Sequence, residues 1–442
     1  MEQVATLFGV VMLVALAVLP ILRPQLSLVS WTLMFPLEQL LQGAYSWFIA
    51  NSLFVNAAIA CAIGLAAVRM VVFGGVRIAN LVSFGSVSIV IILAYALVSI
   101  LWSANQPLAI EFLGDRGPYL IIALVVLPLT IRDLSVLREV RWWILVLGTL
   151  LALALYGAGT FRFYGQRMVV MLGANVRGNP LALAELGGIM FVLGVLSRDA
   201  RGFLVPTILR VAATVLGAGL MLSSGSRGQL IAAILACGMC FPFSAPLKNP
   251  RATIATAVGL PAVAVLLWLS IGLFVQDENV RRWSVDSIAA GSQDRLAFIG
   301  RYFEIWVQSP AAWIFGLGSL SFENLAGGLA NFVENLAAEI LFEEGIPMFL
   351  LFATIWFVLV RRVVASIGLA PDDIDRRAFI MMWFAVCVFF LAVALKSYCV
   401  WSAYPLWLWL AISFRVVADA DARSAAAQYG DAEGAPLALE RR

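Results

Sequence analysis

Long apolar runs separated by short loops are the feature of this sequence that most restricts its fold. A helix that crosses the hydrocarbon core of a bilayer needs about 20 mostly apolar residues. Twelve runs fit this template, near residues 4–22, 47–69, 84–102, 117–131, 142–160, 180–197, 208–223, 228–247, 252–275, 336–360, 378–396 and 400–417. The sequence therefore predicts an all-α, polytopic bundle of about twelve transmembrane helices.

The composition agrees with a membrane protein and narrows its chemistry. Apolar residues make up 62% of the chain and charged residues 12%, whereas charged residues form about a quarter of a soluble domain. The chain has no histidine, which removes the commonest general base, the commonest zinc ligand and every Ser-His triad. The five cysteines lie in or beside apolar runs, and they show no metal-type spacing that also has histidines to complete it. Any catalysis must therefore use carboxylates, arginines, lysines or hydroxyls, and we expect neither a metal nor a cofactor.

One long stretch, residues 276–335, is not continuously apolar and carries several arginines and carboxylates. It divides the chain into four parts: nine spans (1–275), a large water-exposed loop (276–335), three further spans (336–417) and a polar tail (418–442). The tail is predicted to be disordered. Residues 27–42, which include Pro36 and Glu38, are too short and too polar for a predicted span. We expect them to lie along the membrane interface or to re-enter the membrane.

The positions of the basic residues predict the orientation, because cytoplasmic loops are enriched in lysine and arginine. With a cytoplasmic N-terminus, the inner loops hold about twice as many basic residues as the short outer loops. An even number of spans then places both termini in the cytoplasm and the large loop outside. The lysines and arginines lie in short blocks between apolar runs, where they indicate topology and not a nucleic-acid partner.

Several outer segments carry arginines that this tendency does not explain. Arg162, Arg167 and Arg177 lie between the fifth and sixth spans. Arg227 lies in the turn SSGSRGQ between the seventh and eighth spans, and Arg295 lies in the large loop. The arginine fork binds phosphate oxygens in a bidentate manner, so convergence of these loops indicates an anionic ligand such as a diphosphate. Alternatively, each arginine pairs with a loop carboxylate or reaches lipid headgroups, since surface ion pairs are common.

Carboxylates near the membrane are the second group of candidates. Glu185 lies just inside the sixth span, and the tenth span is led by Glu334, Glu339, Glu343 and Glu344. Ionisable groups at membrane depth are costly, which makes them candidate functional residues. A partly desolvated glutamate has a raised pKa and can serve as the general base for a sugar hydroxyl. Acidic residues at a helix N-terminus can also simply stabilise the macrodipole, which is our interpretation of Glu344.

The large loop also contains aromatic residues and a glycine pair. Stacking on sugar rings and packing of the loop against the bundle are both open interpretations for Trp283, Tyr302, Trp306 and Trp313. Gly316 and Gly318 do not form a dinucleotide-binding motif, because no strand precedes them and the third glycine is missing. We expect this pair to turn the chain.

Three segments, in this order, resemble the superfamily of O-antigen ligases and O-antigen polymerases. They are SSGSRGQLIAAILA, DRLAFIGRYFEIWVQSPAAWIFGLG and ENLAAEILFEEGIP, and the resemblance covers roughly residues 160–360. The third segment places Asn335, Glu343 and Gly345 on the family's motif. The sequence departs from the family at Glu334, where many relatives have histidine.

The resemblance implies an integral-membrane glycosyltransferase of the GT-C type. Such an enzyme acts at the periplasmic face of the bacterial inner membrane on glycans carried by undecaprenyl diphosphate. By similarity, Arg167, Arg227 and Arg295 would hold the donor diphosphate while an acceptor hydroxyl displaces it, with inversion and without a metal.

A glutamate would take the proton of the acceptor hydroxyl, and we place Glu334 ahead of Glu339 and Glu185 for this role. The favoured function is polymerisation of exopolysaccharide or O-antigen repeat units, and the close alternative is an O-antigen ligase that transfers the glycan to lipid A core. The expected partners are the lipid-linked donor, the glycan or lipid A core acceptor, membrane lipids, a flippase and a chain-length regulator. A transporter or flippase of a lipid-linked anionic solute is an alternative from another class, with its charged site near the midplane.

Overall fold

A computed structural model of the protein shows a bundle of helices with one small sheet. It describes residues 2–74, 76, 82–131, 136–158, 161–164, 167–172, 176–197, 204–244, 285–326, 333–368 and 373–433. The predicted ninth span, 252–275, and residues 276–284 of the large loop lie outside the described residues.

The helices are labelled in chain order. Those before the large loop are α1 (Glu2–Leu22), α2 (Ser27–Ala44), α3 (Ser46–Ala50), α4 (Leu53–Val72), α5 (Phe84–Ser99), α6 (Gln106–Ile121), α7 (Leu127–Thr130), α8 (Leu137–Gly157), α9 (Pro180–Leu196), α10 (Leu204–Ser223) and α11 (Arg227–Ser244). Those from the large loop onward are α12 (Val285–Val307), α13 (Pro310–Phe315), α14 (Phe322–Ala326), α15 (Leu336–Glu343), α16 (Gly345–Gly368), α17 (Ile374–Ser397) and α18 (Tyr404–Glu433). A π-helical turn, Ile122–Val126, joins α6 to α7 in one continuous segment.

Nine helices of the described chain are long and apolar enough to cross a membrane, which confirms the prediction of a polytopic helical membrane protein. They are Gln3–Leu22, Leu53–Val72, Phe84–Trp102, Gln106–Thr130, Leu137–Gly157, Leu204–Ser223, Arg227–Ser244, Gly345–Gly368 and Ile374–Ser397. Helix α9 is apolar but shorter. The predicted tenth span, 336–360, is divided at Glu344 into α15 and α16, because Gly345 has φ +84 and leaves the right-handed helical region.

A small antiparallel sheet lies in the predicted outer segment between α8 and α9. It consists of β1 (Phe161–Tyr164), β2 (Arg167–Leu172) and β3 (Val176–Arg177), in that order. Strand β2 contacts α2, α9 and α10. The aromatic residues and valines of these strands are types that favour extended structure. The sheet is an exception to the predicted all-helical fold, and its strands are too short to give a clear periodic signal in the sequence.

Helix α2 corrects one prediction, because it lies inside the bundle and not along the membrane interface. Thirteen of its 18 residues are buried. It runs antiparallel to α1, and the Ser30 hydroxyl donates to the Leu16 carbonyl at 2.7 Å. Glu38 accepts hydrogen bonds from Gln42 Nε2 at 2.8 Å and from Asn56 Nδ2 at 3.0 Å. These partners compensate the burial of a carboxylate that made the segment too polar for a predicted span.

We call the end of the bundle at which α2 and α17 finish, and at which α9, α11 and α18 begin, the upper end. Gln39 of α2 donates through Nε2 to the carbonyl of Asn179, just before α9, at 2.9 Å. A Cβ atom on Gly228, in the first turn of α11, would lie 2.1 Å from Cδ of Lys396 in the last turn of α17. These contacts bring segments that are remote in sequence together at the upper end. We call the opposite end of the bundle the lower end.

Helix α1 begins at the upper end of the bundle and helix α18 runs toward the lower end, whereas the sequence predicts both termini on the cytoplasmic side. Arg23, just after α1, is ion-paired with Glu139 at the start of α8, so α1 finishes at the lower end. Arg415 of α18 donates to the carbonyls of Pro128 and Ile131, where α7 finishes, at 2.9 and 2.8 Å. Helix α18 therefore runs from the upper to the lower end. The additional passage of α2 through the bundle explains the difference, because it reverses the direction of α1.

The chain after residue 417 also differs from the prediction. Helix α18 continues to Glu433, so the first part of the segment predicted to be disordered is helical. This part contains several alanines, including the run 425–427, and alanine has the highest helix propensity. Residues 434–442 lie outside the described residues.

The described part of the large loop forms a small apolar unit of its own. Tyr302 and Trp306 of α12 are buried together with Phe322 of α14 and Phe342 of α15. The indole Nε1 of Trp306 donates to the Ala312 carbonyl at 3.0 Å. Tyr302 and Trp306 therefore pack the loop, whereas Trp313 is 42% exposed and Trp283 lies outside the described residues.

Helices α9 and α10 approach each other closely through glycines. A Cβ atom on Gly187 would lie 2.5 Å from the carbonyl oxygen of Gly217, and a Cβ atom on Gly217 would lie 2.5 Å from that of Gly187. Small residues allow helix backbones to come this close in membrane proteins. The contact fixes the position of α9, which carries Glu185.

We expect Gly187→Leu to lower the thermal stability of the purified protein, because the new side chain has no space between α9 and α10. Overpacking of this kind costs about 1–3 kcal/mol and is measured as a fall in Tm by scanning fluorimetry. The matched control is Gly238→Leu in α11, where nothing lies within 4 Å of an added Cβ atom. Equal melting temperatures for the two variants would contradict the close contact of α9 and α10.

Reporters fused to the two termini are expected to lie on opposite sides of the membrane, because α1 begins at the upper end and α18 finishes at the lower end. Alkaline phosphatase activity and GFP fluorescence, compared for N-terminal and C-terminal fusions, measure this directly. An insertion after Phe73 is the internal control and is expected to match the C-terminal fusion, because Arg69 of α4 donates to the Ile21 carbonyl at the lower end. If both reporters lie on the same side of the membrane, the number of crossings is even, as the sequence predicts.

Candidate active site

A cavity of about 340 Å³ opens at the upper end of the bundle. Its walls come from the end of α2, from α6, from the start of α9 and from the loop between α17 and α18. The lining residues are Phe35, Glu38, Gln39, Gln42, Phe112, Arg116, Gly178, Asn179, Leu181, Ala182, Glu185, Ser397, Tyr398, Ser402 and Tyr404. Two carboxylates, one guanidinium group and several aromatic rings therefore line one space.

Glu185 is the predicted catalytic residue that lines this cavity. The Asn179 side chain caps α9 by accepting from the Leu181 N–H at 2.9 Å, and Pro180 takes the first helical position, where its missing N–H is not needed. Glu185 is held in the second turn of this helix with its side chain partly accessible. The Tyr398 hydroxyl donates to its Oε1 atom. A carboxylate that is oriented in this way and open to a cavity can accept a proton from a bound hydroxyl.

The sequence analysis did not assign Glu38 and Arg116 to the site. Glu38 lies in the segment predicted to lie along the interface or to re-enter the membrane, and Arg116 directly precedes the predicted span 117–131. The sequence did contain a signal for these two residues, because ionisable residues next to predicted spans are candidate functional residues. The cavity wall continues below them into an aromatic network, in which Tyr119 stacks on Tyr404 with ring centroids 5.5 Å apart.

The loop between α17 and α18 connects the cavity to the large loop. Its Val400 N–H donates to Glu339 Oε1 at 3.0 Å. Its Trp401 Nε1 donates to the Ser319 hydroxyl of the large loop at 2.9 Å. The same loop carries Tyr398, so one wall of the cavity is anchored on α15 and on the large loop together.

Two of the predicted phosphate-binding arginines come together in the structure. The turn after α10 contains Gly225 at φ +62 and places Arg227 at the first position of α11. Arg295 of α12 lies close enough to Arg227 for the two guanidinium groups to repel each other. The charges of the turn and of the large loop therefore act on each other, and the binding of a diphosphate by the two arginines stays a prediction.

The arginine pair lies next to the wall of the cavity. Gly228, which follows Arg227, packs against the side chain of Lys396. Lys396 is followed directly by Ser397 and Tyr398, which line the cavity. The end of α17 therefore contacts the start of α11 and also forms part of the cavity wall.

The other three predicted arginines lie in the small sheet. Arg162 lies in β1, Arg167 begins β2 and Arg177 ends β3. Arg177 directly precedes Gly178, which lines the cavity. The side chains of these arginines lie outside the described residues, so their part in anion binding stays a prediction.

Glu334 is ion-paired and is not among the residues that line the cavity. Its Oε2 atom accepts from Nε and Nη2 of Arg295 at 2.9 and 2.8 Å. The next residue, Asn335, caps α15, since its Oδ1 atom accepts from the Ala338 N–H at 3.0 Å. Because Glu334 is engaged with a cation away from the cavity, the geometry favours Glu185 over Glu334 as a proton acceptor.

The glutamates of α15, a helix outside the nine long apolar helices, hold the large loop in place. Glu343 accepts from the Leu320 N–H through Oε2 at 2.6 Å and from the Tyr302 hydroxyl through Oε1 at 3.3 Å. Burial raises the pKa of Glu339 and the pKa of Glu343 well above their usual range. Neither residue lines the 340 Å³ cavity, so Glu185 also ranks ahead of Glu339 as a candidate base.

The glycine pair of the large loop turns the chain, as predicted, with φ +72 at Gly316 and φ +91 at Gly318. The Leu317 N–H donates to the Phe342 carbonyl at 2.8 Å, and the Gly318 N–H donates to the Glu343 carbonyl at 3.0 Å. These bonds satisfy carbonyl groups at the end of α15 that have no partner within the helix. A Cβ atom on Gly316 would lie 1.9 Å from the Glu343 carbonyl oxygen, so the contact requires glycine.

We expect Glu344→Gln to raise the thermal stability of the protein at pH 8 and to change it little at pH 5. Burial raises the pKa of Glu344 from 4.5 to about 8, although the Ser99 hydroxyl lowers it in part. The folded state therefore holds this proton more tightly than the unfolded state. The stability that this contributes is present below pH 4.5 and is lost toward pH 8, by about 1.4 kcal/mol for each pH unit. Glutamine stays neutral throughout this range.

The measurement is Tm as a function of pH for wild type and variant. Glu304→Gln, which removes an exposed carboxylate from α12, is the matched control and is expected to follow the wild-type profile. If Glu344→Gln also follows that profile, Glu344 does not titrate in a buried environment.

Within the described residues, no group of three histidine, cysteine, aspartate or glutamate side chains is placed to hold a metal ion. No protein-family model matches the chain, and a search of curated proteins finds no match.

Proposed function

We propose that the protein is a membrane glycosyltransferase that polymerises oligosaccharide repeat units carried by undecaprenyl diphosphate, for an exopolysaccharide or an O-antigen. One observation carries the proposal: the upper end combines a cavity with an accessible carboxylate, Glu185, and a converging pair of arginines, Arg227 and Arg295. The resemblance of three motifs to the O-antigen ligase and polymerase superfamily supports the same chemistry. A GT-C-type architecture is part of the proposal.

In this proposal the upper end faces the periplasm of a bacterial cell and the protein lies in the inner membrane. Arginines gather at the lower end, and cytoplasmic segments are enriched in such residues. These arginines are Arg23, Arg69, Arg138, Arg141, Arg362, Arg377 and Arg415. The N-terminus is then periplasmic and the C-terminus cytoplasmic. Helix α2 adds one crossing to the twelve that the sequence predicts.

In the proposed reaction, the donor diphosphate binds the arginines and the acceptor sugar occupies the cavity. Glu185 takes the proton of an acceptor hydroxyl while the hydroxyl oxygen forms a bond to the anomeric carbon of the donor. The bond between that carbon and the diphosphate oxygen breaks, and undecaprenyl diphosphate leaves with the electron pair. Arg227 and Arg295 stabilise the negative charge that develops on the leaving oxygen, a contribution that is usually the largest in such sites. Attack from the opposite face inverts the anomeric configuration, and guanidinium groups take the place of a metal.

An O-antigen ligase is the close alternative, because it uses the same donor site and differs in its acceptor, lipid A core. A transporter of a lipid-linked anionic solute is expected to hold its charged site near the midplane, whereas the candidate groups here gather at one end of the bundle. A flippase that supplies the donor and a chain-length regulator are further partners in the proposal.

The proposal is tested by turnover of purified protein in nanodiscs with an undecaprenyl-diphosphate oligosaccharide. Glu185→Gln is expected to lower kcat by about 10²–10⁴-fold with donor binding retained, because it removes the general base. Arg227→Ala is expected to weaken donor binding and also to lower kcat, because it removes a charge that stabilises the leaving group. A ladder of longer lipid-linked glycans identifies a polymerase, and transfer only to added lipid A core identifies a ligase. Donor binding without any transfer supports a transporter.

The matched controls are Glu304→Gln and Arg301→Ala, which remove the same charges from exposed positions of α12 and are expected to leave turnover unchanged. Full activity of Glu185→Gln would remove Glu185 from the mechanism. Full activity of Arg227→Ala would remove the arginine pair from the donor site.

A further inference from the structure

Glu334 occupies the place at which an anionic ligand would meet Arg295. We propose that Glu334 is an internal placeholder, whose carboxylate neutralises Arg295 in the empty protein and is displaced when the donor diphosphate binds. This inference rests on the proposed diphosphate site at Arg227 and Arg295. It gives Glu334 a role that differs from that of a general base.

The contact between Glu334 and Arg295 has the geometry of anion binding by a guanidinium group. Nε and Nη2 of Arg295 both donate to the same oxygen, Glu334 Oε2, at 2.9 and 2.8 Å. Guanidinium donors in this arrangement match the oxygens of carboxylates and of phosphates. A phosphate oxygen in the place of Glu334 Oε2 would meet the same two donors.

The arginine pair explains why a placeholder is useful in the empty protein. Arg227 and Arg295 lie close enough to repel each other. Two like charges at short range are unfavourable unless an anion lies with them. The carboxylate of Glu334 provides that negative charge. The charge of Arg295 is therefore neutralised before a ligand arrives.

The ion pair is also weak enough to be exchanged for a ligand. The side chains of Arg295 and Glu334 each keep 40% of their surface exposed. Ion pairs with such exposure contribute little to stability, because water competes for both groups. A diphosphate carries more negative charge than a carboxylate and has oxygens for both guanidinium groups, so it binds the arginine pair more strongly.

The backbone at Glu334 favours its release. Glu334 has φ +53, in the left-handed region that residues other than glycine rarely adopt. Such conformations persist where surrounding contacts impose them, and the ion pair with Arg295 is one such contact. Asn335 caps α15 independently through the Ala338 N–H, so the helix start does not depend on the Glu334 carboxylate. Displacement therefore requires movement of one residue and leaves α15 in place.

The test is the binding of inorganic pyrophosphate to the full-length protein in nanodiscs, measured by isothermal titration calorimetry at physiological salt. Glu334→Gln removes the competing charge and is expected to tighten binding about fivefold, the factor that corresponds to an exposed ion pair. Glu334→Gly also removes the carboxylate and adopts φ +53 without strain, so it is expected to tighten binding at least as much and to remain folded. Glu304→Gln removes the same charge from an exposed position of α12 and is expected to leave the affinity unchanged, because salt screens a distant exposed charge.

Two results would overturn the placeholder and leave the anion site in place. One is unchanged or weaker binding in both Glu334 variants while Arg295→Ala also weakens binding. The other is an equal gain in affinity for Glu304→Gln, which would indicate an effect of net charge. Equal affinities of wild type, Arg227→Ala and Arg295→Ala would instead remove the proposed donor site, and the placeholder with it. Because binding is measured directly, these results do not depend on turnover.

Discussion

The buried carboxylate of Glu343 is the contact on which the arrangement of the upper end depends. Both of its oxygens bind the large loop, since one accepts from the Leu320 N–H and the other from the Tyr302 hydroxyl. Its carbonyl group accepts from the Gly318 N–H as well. A buried carboxylate without such partners is strongly unfavourable, so α15 and the large loop stabilise each other. Arg295, which the large loop carries, takes its position from this contact.

Most helices of the bundle could be predicted, because a run of about 20 apolar residues is a local property of the sequence. Helix α2 could not, since Glu38 and Gln39 lower its hydropathy and their partners come from distant elements. Glu38 is satisfied in part by Asn56 of α4, and Gln39 by the Asn179 carbonyl before α9. Hydropathy takes no account of such partners, and the single missed passage through the bundle changes the parity on which the predicted side of the N-terminus depends.

The sequence indicated which types of residue form the candidate site, but not which of these residues lie together. Arginines outside the positive-inside pattern led to Arg227 and Arg295, which the structure brings together. The cavity is lined by Glu185 and not by Glu334, which the sequence placed first as a base, because access to a cavity depends on packing that no local pattern contains. Glu334 follows the family motif in sequence but binds an arginine, whereas Glu185 lines the cavity with Arg116, which was not predicted to take part.

The separation of the cavity from the arginine pair suits the proposed inverting transfer. In such a displacement the base that activates the nucleophile and the group that assists departure act on opposite faces of the sugar ring. The end of α17 contacts the start of α11, which carries Arg227, and it also lines the cavity that contains Glu185. The base and the arginine pair can therefore act on opposite faces of the sugar ring. A carboxylate beside Arg295 forms an ion pair with it, as Glu334 does, and is then not available as a base. Glu185, oriented by the Tyr398 hydroxyl, keeps its place in the cavity and is available to an acceptor.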